Sequence, residues 1–417
     1  MQKKKERLFH ELREKYPRFI YHKFQYQWNE KKQLEIFFDF SIGDHYRFTP
    51  KMLLKSGKYF TETVTSETLE GVIFHIGMIE LLSYWKATCS PEIYIKPYKL
   101  NEAQQAWWYK LYYKGLGEFF YQNGIEPQDP VFRFLFDENV SSVSELHYDK
   151  IENGNKSIVP VGGGKDSVVT LEKLRNDLKI IPFIVNPRGA TLDCVRIAGF
   201  EYEDDIVILE RTIDTQLLQL NEAGFLNGHT PFSAMLAFYS LLVAFLTNSR
   251  WIALSNEASA NEATILGTDI NHQYSKSLEF EEDFRKYVLE NMNNVAHYYS
   301  YLRSYSELEI AEMFSQYPQY FPWFRSCNAG SKENRWCCNC PKCLFAYIIL
   351  APFIEKSRMI AIFGENLLDK PALKQYFDEL TGKTESKPFE CVGTIEEVNK
   401  ALEMLKEEYA ESCLFSN

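Results

Sequence analysis

The chain has 417 residues and a formal net charge of −11, long enough to bury a large core and to divide into two or three domains. With 45% hydrophobic and 15% aromatic residues it reads as a folded globular protein, and its acidic balance argues against a broad basic surface for nucleic acid. The basic start over residues 1–19 lacks the apolar core and cleavage site of a signal peptide. The longest apolar run, Ala234 to Leu246, is shorter than the roughly 20 residues that a bilayer span needs, so a cytoplasmic protein without a membrane span is expected.

In chain order, residues 1–150 read as an α+β domain. Strand-like runs fall at 19–28 and 34–40, with Thr49-Pro50 as punctuation. A helix is predicted around 76–87, a strand at 92–95 and a long helix across 101–121. The stripe of Trp107, Trp108, Leu111, Tyr112, Leu116, Phe119 and Phe120 on that helix is core packing. The polar segment 138–156 marks a boundary. Over 151–370 strand and helix alternate, which signals a parallel α/β sheet of Rossmann-like type. Strands are predicted at 157–161, 180–185, 206–209 and 251–255, and helices at 167–177, 215–222 and 233–248. Ligands in open parallel sheets sit beyond the carboxyl ends of the strands. The polar groups following each strand are Gly162–Ser167, Asn186-Pro187-Arg188, Glu210-Arg211 and Ser255-Asn256-Glu257, and they are expected to converge. Residues 371–417 read as a helical extension packed on the core. Thr394 and Glu397 there have capping-box spacing, and Ile395, Val398, Leu402 and Leu405 recur at helical intervals.

The stretch 156–176, KSIVPVGGGKDSVVTLEKLRN, is the most informative. Ile158, Val159 and Val161 lead into Gly162, Gly163 and Gly164. Lys165, Asp166 and Ser167 then open a helical pattern with Val168, Val169, Leu171 and Leu174 on one side. A strand, a glycine turn and a helix N-terminus make an anion site, because backbone N–H groups and the helix dipole point at whatever occupies the turn. Ser167 offers a hydroxyl, Lys165 a charge, and Asp166 a carboxylate able to hold hydrated magnesium. The pattern is neither the Walker loop nor the dinucleotide turn.

A second constellation is SCNAGSKENRWCCNCPKC, in which Cys327 is followed by Cys337, Cys340 and Cys343 at Cys-x2-Cys-x2-Cys spacing. Four such thiolates suit a structural tetrahedral zinc, with Cys338 left over; iron–sulfur ligation and a metal-free thiol cluster are the alternatives. Further polar runs are Asn227–Pro231, Ser255–Ser259, Asn271–Ser277 and Tyr301–Arg303. His229 either caps a helix or touches substrate. His272 lies close to Lys276 in sequence; imidazole titrates near neutrality and a desolvated lysine can act as a base. Arg211 and Arg303 suit either bidentate pairing with a carboxylate or phosphate or an ordinary surface salt bridge.

Gly163, Gly164, Lys165, Asp166 and Ser167 match the Ser-Gly-Gly-x-Asp-Ser core of the ATP-pyrophosphatase (PP-loop) superfamily, which the loop resembles; Gly162 stands where that core has serine. The cysteine set is similar to that of 7-cyano-7-deazaguanine synthase, another PP-loop enzyme, with a different first gap. Over nearly its full length the chain resembles the ATP-dependent UDP-N-acetylmuramoyl-L-alanyl-L-glutamate epimerase family of bacterial peptidoglycan synthesis. HIGMIELLSYWK (75–86), WWYKLYYKGLGEFF (107–120), VGGGKDS, NGHTP, SNEAS, INHQYSKS, the cysteine stretch and PFECVGTIEEV (388–398) carry this likeness. It implies inversion of a terminal L-glutamate in a UDP-linked muramoyl dipeptide, with ATP and magnesium. In that reading Gly162–Ser167 and Asn186 hold the nucleotide, Asp166 binds magnesium, Lys165 stabilises developing charge, and His272 and Lys276 move the proton. Arg211, His229, Asn256, Glu257 and Arg303 face substrate, while Cys327, Cys337, Cys340 and Cys343 hold zinc. The rival readings are another PP-loop adenylylating or tRNA-modifying enzyme and a nucleotide-sensing protein without turnover.

Overall fold

Eleven strands form among the described residues of the computed structural model, which are 2–415 apart from 57–58, 62–63, 128–130, 153, 203, 266, 269 and 294–295. They are β1 (Arg18–Trp28), β2 (Leu34–Ile42), β3 (Tyr46–Phe48), β4 (Lys51–Ser56), β5 (Glu92–Ile95), β6 (Arg133–Phe136), β7 (Lys156–Pro160), β8 (Lys179–Val185), β9 (Val207–Thr212), β10 (Trp251–Leu254) and β11 (His297–Ser300). With the helices between them they give a mixed α/β protein, organised as two units interleaved along the sequence.

The first unit comprises Met1–Lys156, Val207–Ile252 and Glu279–Tyr298. Its strand order is β9-β4-β2-β1-β5-β6, with β3 on β2. β1 and β2 are an antiparallel hairpin running from Phe19 opposite Ile42 to Trp28 opposite Leu34. Its inward face carries Tyr21, Phe38 and Phe40, and the Tyr21 ring stacks on Phe74 of the helix Ser66–Glu80. That helix packs on Phe232–Thr247, whose apolar run is buried almost throughout. The helix predicted at 76–87 thus begins ten residues earlier, where the Thr65 hydroxyl accepts a hydrogen bond from the Thr68 N–H at 3.3 Å. It ends at Glu80 and is followed by the separate turn Leu82–Trp85. The predicted helix 101–121 is likewise two helices, Glu102–Gly115 and Gly117–Gln122, broken at Leu116 (φ −100°, ψ 11°). Two glycines flank the break and weaken the helix there. A side chain at Gly115 would come within 2.9 Å of Pro231 Cγ, so close packing requires the glycine.

The second unit comprises Ser157–Ile206, Ala253–Leu278 and Tyr299–Asn417. Its strand order is β11-β10-β7-β8, and the unit boundary falls within β10 and β11. β7 and β8 are neighbours joined through the helix Lys165–Leu174, a βαβ unit, and both are buried almost throughout. Continuous burial suits strands covered on both faces. The helix Lys165–Leu174 packs on Glu307–Ser315. That helix contacts Pro341–Leu350, against which Lys374–Leu380 and Ile395–Met404 lie. The capping box forms at Thr394, whose N–H and hydroxyl donate to Glu397 Oε2 at 2.8 and 2.9 Å.

Candidate active site

β7 delivers the chain into Gly162, Gly163 and Gly164, and Gly164 is the N-cap of the helix Lys165–Leu174. Gly163 has φ +80°, and a side chain there would meet the Ala190 carbonyl carbon at 2.8 Å. Only glycine fits that position. The Gly163 carbonyl accepts a hydrogen bond from the Arg325 N–H at 2.8 Å, which pins the turn. Gly162, by contrast, is exposed and faces open space. No side chain caps the helix at Gly164, so its first N–H groups remain for an anion. The Ser167 hydroxyl donates to the Gly164 carbonyl at 2.9 Å.

Lys165 is buried and its ammonium group pairs with Asp166 and with Glu307. Burial opposes the lysine's charge, but Asp166 and Glu307 hold its proton above the ordinary lysine range. Burial also opposes ionisation of Asp166; Lys165, Lys342 and Lys276 nevertheless keep its carboxyl below the usual range, the state a magnesium ligand needs. Glu307 was not singled out from the sequence. It opens the helix Glu307–Ser315 behind the N-cap Ser306, so in sequence it resembles an ordinary first-turn glutamate. Burial pushes its carboxyl up to about 7; Lys165 opposes this, and the neighbouring Asp166 and Glu257 add to it. The Glu307 N–H donates to Glu397 Oε1 at 2.7 Å, which ties the C-terminal capping box to the charged cluster.

The segment after β10 contributes Asn256, whose side-chain N–H donates to Ser300 Oγ at 3.0 Å, and the buried Glu257. Arg303 donates to the Glu257 carbonyl at 2.8 Å, to the Lys276 carbonyl and to Ser300 Oγ at 3.1 Å. It therefore braces two loops instead of presenting an open guanidinium fork. Burial alone would make Lys276 the neutral base expected from sequence, yet Cys391, Glu257 and Asp166 hold its proton above the ordinary range. The His272 backbone N–H donates to the Thr264 hydroxyl at 3.0 Å.

Beside the loop, the sulfurs of Cys327, Cys337, Cys340 and Cys343 all lie within 4.8 Å of one another. The separations are 3.7 Å for Cys327–Cys340, 3.7 Å for Cys337–Cys343 and 3.5 Å for Cys340–Cys343. A tetrahedral zinc with bonds of about 2.3 Å requires sulfur–sulfur distances of about 3.8 Å, so the donor set fits. The Gly330 and Asn339 N–H groups point at Cys327 and Cys337 sulfur at 3.3 and 3.4 Å, as donors to thiolates do. Cys338 turns away, with φ +53° and its sulfur 3.0 Å from the Phe363 carbonyl.

Asn186 follows β8 in an exposed, left-handed conformation (φ +49°). Arg211 and His229 belong to the first unit. The predicted strand 206–209 runs on to Thr212 because it pairs with β4, placing Arg211 opposite Met52 and Glu210 opposite Leu53. Arg211 lies within that strand and forms a buried pair with Glu80 at 2.8 Å, also reaching Ser83 Oγ at 3.0 Å. His229 Nδ1 is 3.2 Å from Glu118.

The βαβ unit and its glycine turn define an α/β protein in which a glycine-rich turn links a buried sheet strand to a helix N-terminus. Residues 10–301 match the MurL N-terminal domain and residues 323–414 the MurL C-terminal domain. The chain belongs to the MurL family. It is 35% identical over 387 residues to the UDP-N-acetyl-alpha-D-muramoyl-L-alanyl-L-glutamate epimerase of a Micromonospora species, covering 90% of this chain and 84% of that protein. The proteins of the same name from Salinispora tropica and Xanthomonas oryzae pv. oryzae are 37% and 34% identical, over 82% and 79% of this chain and 74% and 73% of their own lengths.

Proposed function

We propose that the chain is an ATP-dependent epimerase of the cytoplasm that converts the terminal L-glutamate of UDP-N-acetylmuramoyl-L-alanyl-L-glutamate to D-glutamate. The observation that carries this reading is the likeness, over 79% or more of the chain, to three proteins bearing that activity in their names. Among the described residues no helix is long and apolar enough to cross a membrane, which agrees with a water-soluble nucleotide substrate.

The loop supports the chemistry, and the PP-loop superfamily is the frame in which it is proposed. An ionised carboxylate resists loss of its neighbouring α-proton, because the product would carry two adjacent negative charges. Adenylylation removes that obstacle. A carboxylate oxygen of the substrate attacks the α-phosphorus of ATP, and the bond to the pyrophosphate oxygen breaks. Backbone N–H groups of Gly162–Ser167 receive the phosphates, Asp166 holds magnesium, and Lys165, oriented by Glu307, stabilises the charge that develops. The α-proton of the acyl adenylate is then as labile as that of an ester. Its removal from one face and return to the other inverts the centre, and water releases AMP. Cys327, Cys337, Cys340 and Cys343 hold a structural zinc that clamps residues 327–343 and takes no part in the reaction.

Incubation of the purified protein with the L-glutamate dipeptide nucleotide, ATP and magnesium, followed by chiral analysis of the hydrolysed product, should yield D-glutamate. Folded, zinc-loaded protein that leaves only L-glutamate contradicts the assignment.

A further inference from the structure

Within the second unit, the residues that precede the cysteine set lie directly against the glycine turn. The Arg325 N–H donates to the Gly163 carbonyl at 2.8 Å, and Ser326 Cβ lies 3.4 Å from the position that a Cβ on Gly164 would take. Gly164 is the N-cap of the helix Lys165–Leu174 and has no side-chain cap. Ser326 therefore stands beside the helix end whose first N–H groups remain for an anion. It is half-buried, and its hydroxyl makes no hydrogen bond among the described residues. The next residue, Cys327, belongs to the four-sulfur cluster, and its sulfur takes the Gly330 N–H at 3.3 Å. Arg325 and Ser326 are thus held from two sides, by the turn and by the cysteines.

The charges around the turn call for another cation. Lys165, the one cation of the loop itself, already faces Asp166 and Glu307, and a triphosphate brings several further negative charges. Arg325 is not matched in this way. Its terminal nitrogens donate only to neutral carbonyls of its own segment, Nη1 to Phe324 at 2.6 Å and Nη2 to Pro322 at 2.9 Å. Among the described residues its buried Nε–H has no partner, and no carboxylate lies within ion-pair distance of it. Asp193 belongs to the helix Gly189–Ile197, whose start packs on Gly163, but that acid is taken up by Arg196 at 3.0 Å and by the Asn334 amide at 3.2 Å. A buried N–H left without an acceptor is costly, and a guanidinium is the side chain best shaped for phosphate oxygens.

We propose that Ser326 and Arg325 bind the phosphates of ATP, the Ser326 hydroxyl standing in for the one that the loop lacks at Gly162 and the Arg325 guanidinium adding the second positive charge. This rests on the ATP-binding reading of the turn above. Gly162 is exposed, with open space where a side chain would be, so the turn offers backbone N–H groups there and no hydroxyl. The loop's own hydroxyl, on Ser167, is engaged with the Gly164 carbonyl at 2.9 Å. The donor and the charge that the loop is missing both come from the segment that the cysteines anchor.

The test is calorimetry on the zinc-loaded full chain with magnesium, the dipeptide nucleotide and α,β-methylene-ATP, whose α–β bridge resists cleavage. Ser326→Ala and Arg325→Met should each weaken binding of the analogue by about tenfold or more, the usual weight of a hydrogen bond to a charged group, with zinc content and melting temperature kept. Arg325→Lys should lose less than Arg325→Met, because the charge remains. Adding Gly162→Ser to Ser326→Ala should restore most of the lost affinity, whereas the same substitution in wild type should gain little. Such failure to add is the mark of two groups serving one phosphate. If either folded variant, Ser326→Ala or Arg325→Met, binds the analogue within about threefold of wild type, the proposal is overturned and the ATP reading stands. An equal effect of Gly162→Ser in both backgrounds overturns it as well. If wild type itself does not bind the analogue, both fall.

Discussion

Lys165 shows how one side chain serves the loop while being held from behind. Its ammonium group is buried between Asp166 and Glu307, so it stays charged and is aimed by a residue 142 positions away. Replacement of Lys165 by Met should lower substrate-dependent pyrophosphate release by about 100-fold or more, whereas Glu307→Gln, which keeps the Asp166 contact, should cost less. The loop half of this cluster was legible in the sequence because Gly162–Ser167 are contiguous. Glu307, Lys342 and Cys391 were not, since folding alone brings them to Asp166 and Lys276, and a first-turn glutamate or a lone cysteine carries no local mark. Arg303 was legible as a cation but not as a brace, because charge does not name its partner.

A second residue-scale consequence concerns pH. Burial first, and the repulsion of Arg211 second, bring the Lys86 ammonium group down to about 8 from its ordinary 10.5. A depressed folded value means that the fold favours the neutral amine. The stabilisation from this group is therefore fully present above about 10.5 and is lost as pH falls through about 8. The melting temperature of wild type minus that of Lys86→Met should rise between those two pH values. A difference that is flat across this window would contradict the burial of Lys86.

At the scale of elements, the glycine turn makes unequal demands on its three residues. Gly163→Ala forces a side chain into the Ala190 backbone at φ +80° and should cost about 1–3 kcal/mol in urea unfolding. Gly162→Ser introduces the serine of the related loops into open space and should change stability by no more than about 0.5 kcal/mol. Equal costs at both positions would mean that the turn is shaped differently. Strands were legible where apolar runs were long, as in β1, β2, β7 and β8, and the short β3, β6 and β11 gave too little pattern to read. The helix across 101–121 was overextended because an apolar stripe continues through Leu116, although the flanking glycines break the backbone there.

Over the whole molecule, the chain passes repeatedly between two units, and a sequence read in order does not reveal which distant segments cluster. The cysteine set is different: its spacing is local, and its sulfurs do come together. Elemental analysis of protein purified without added metal should find about one zinc per chain. Cys340→Ser should lose that zinc and melt at lower temperature. Full zinc content in that variant would remove Cys340 from the donor set.

The most direct test of the account as a whole is the ratio of AMP released to glutamate inverted in one reaction with the dipeptide nucleotide. Activation before inversion predicts about one AMP for each D-glutamate, with neither formed when ATP or substrate is omitted. D-Glutamate formed without ATP, or AMP released at the same rate without the dipeptide, would contradict it.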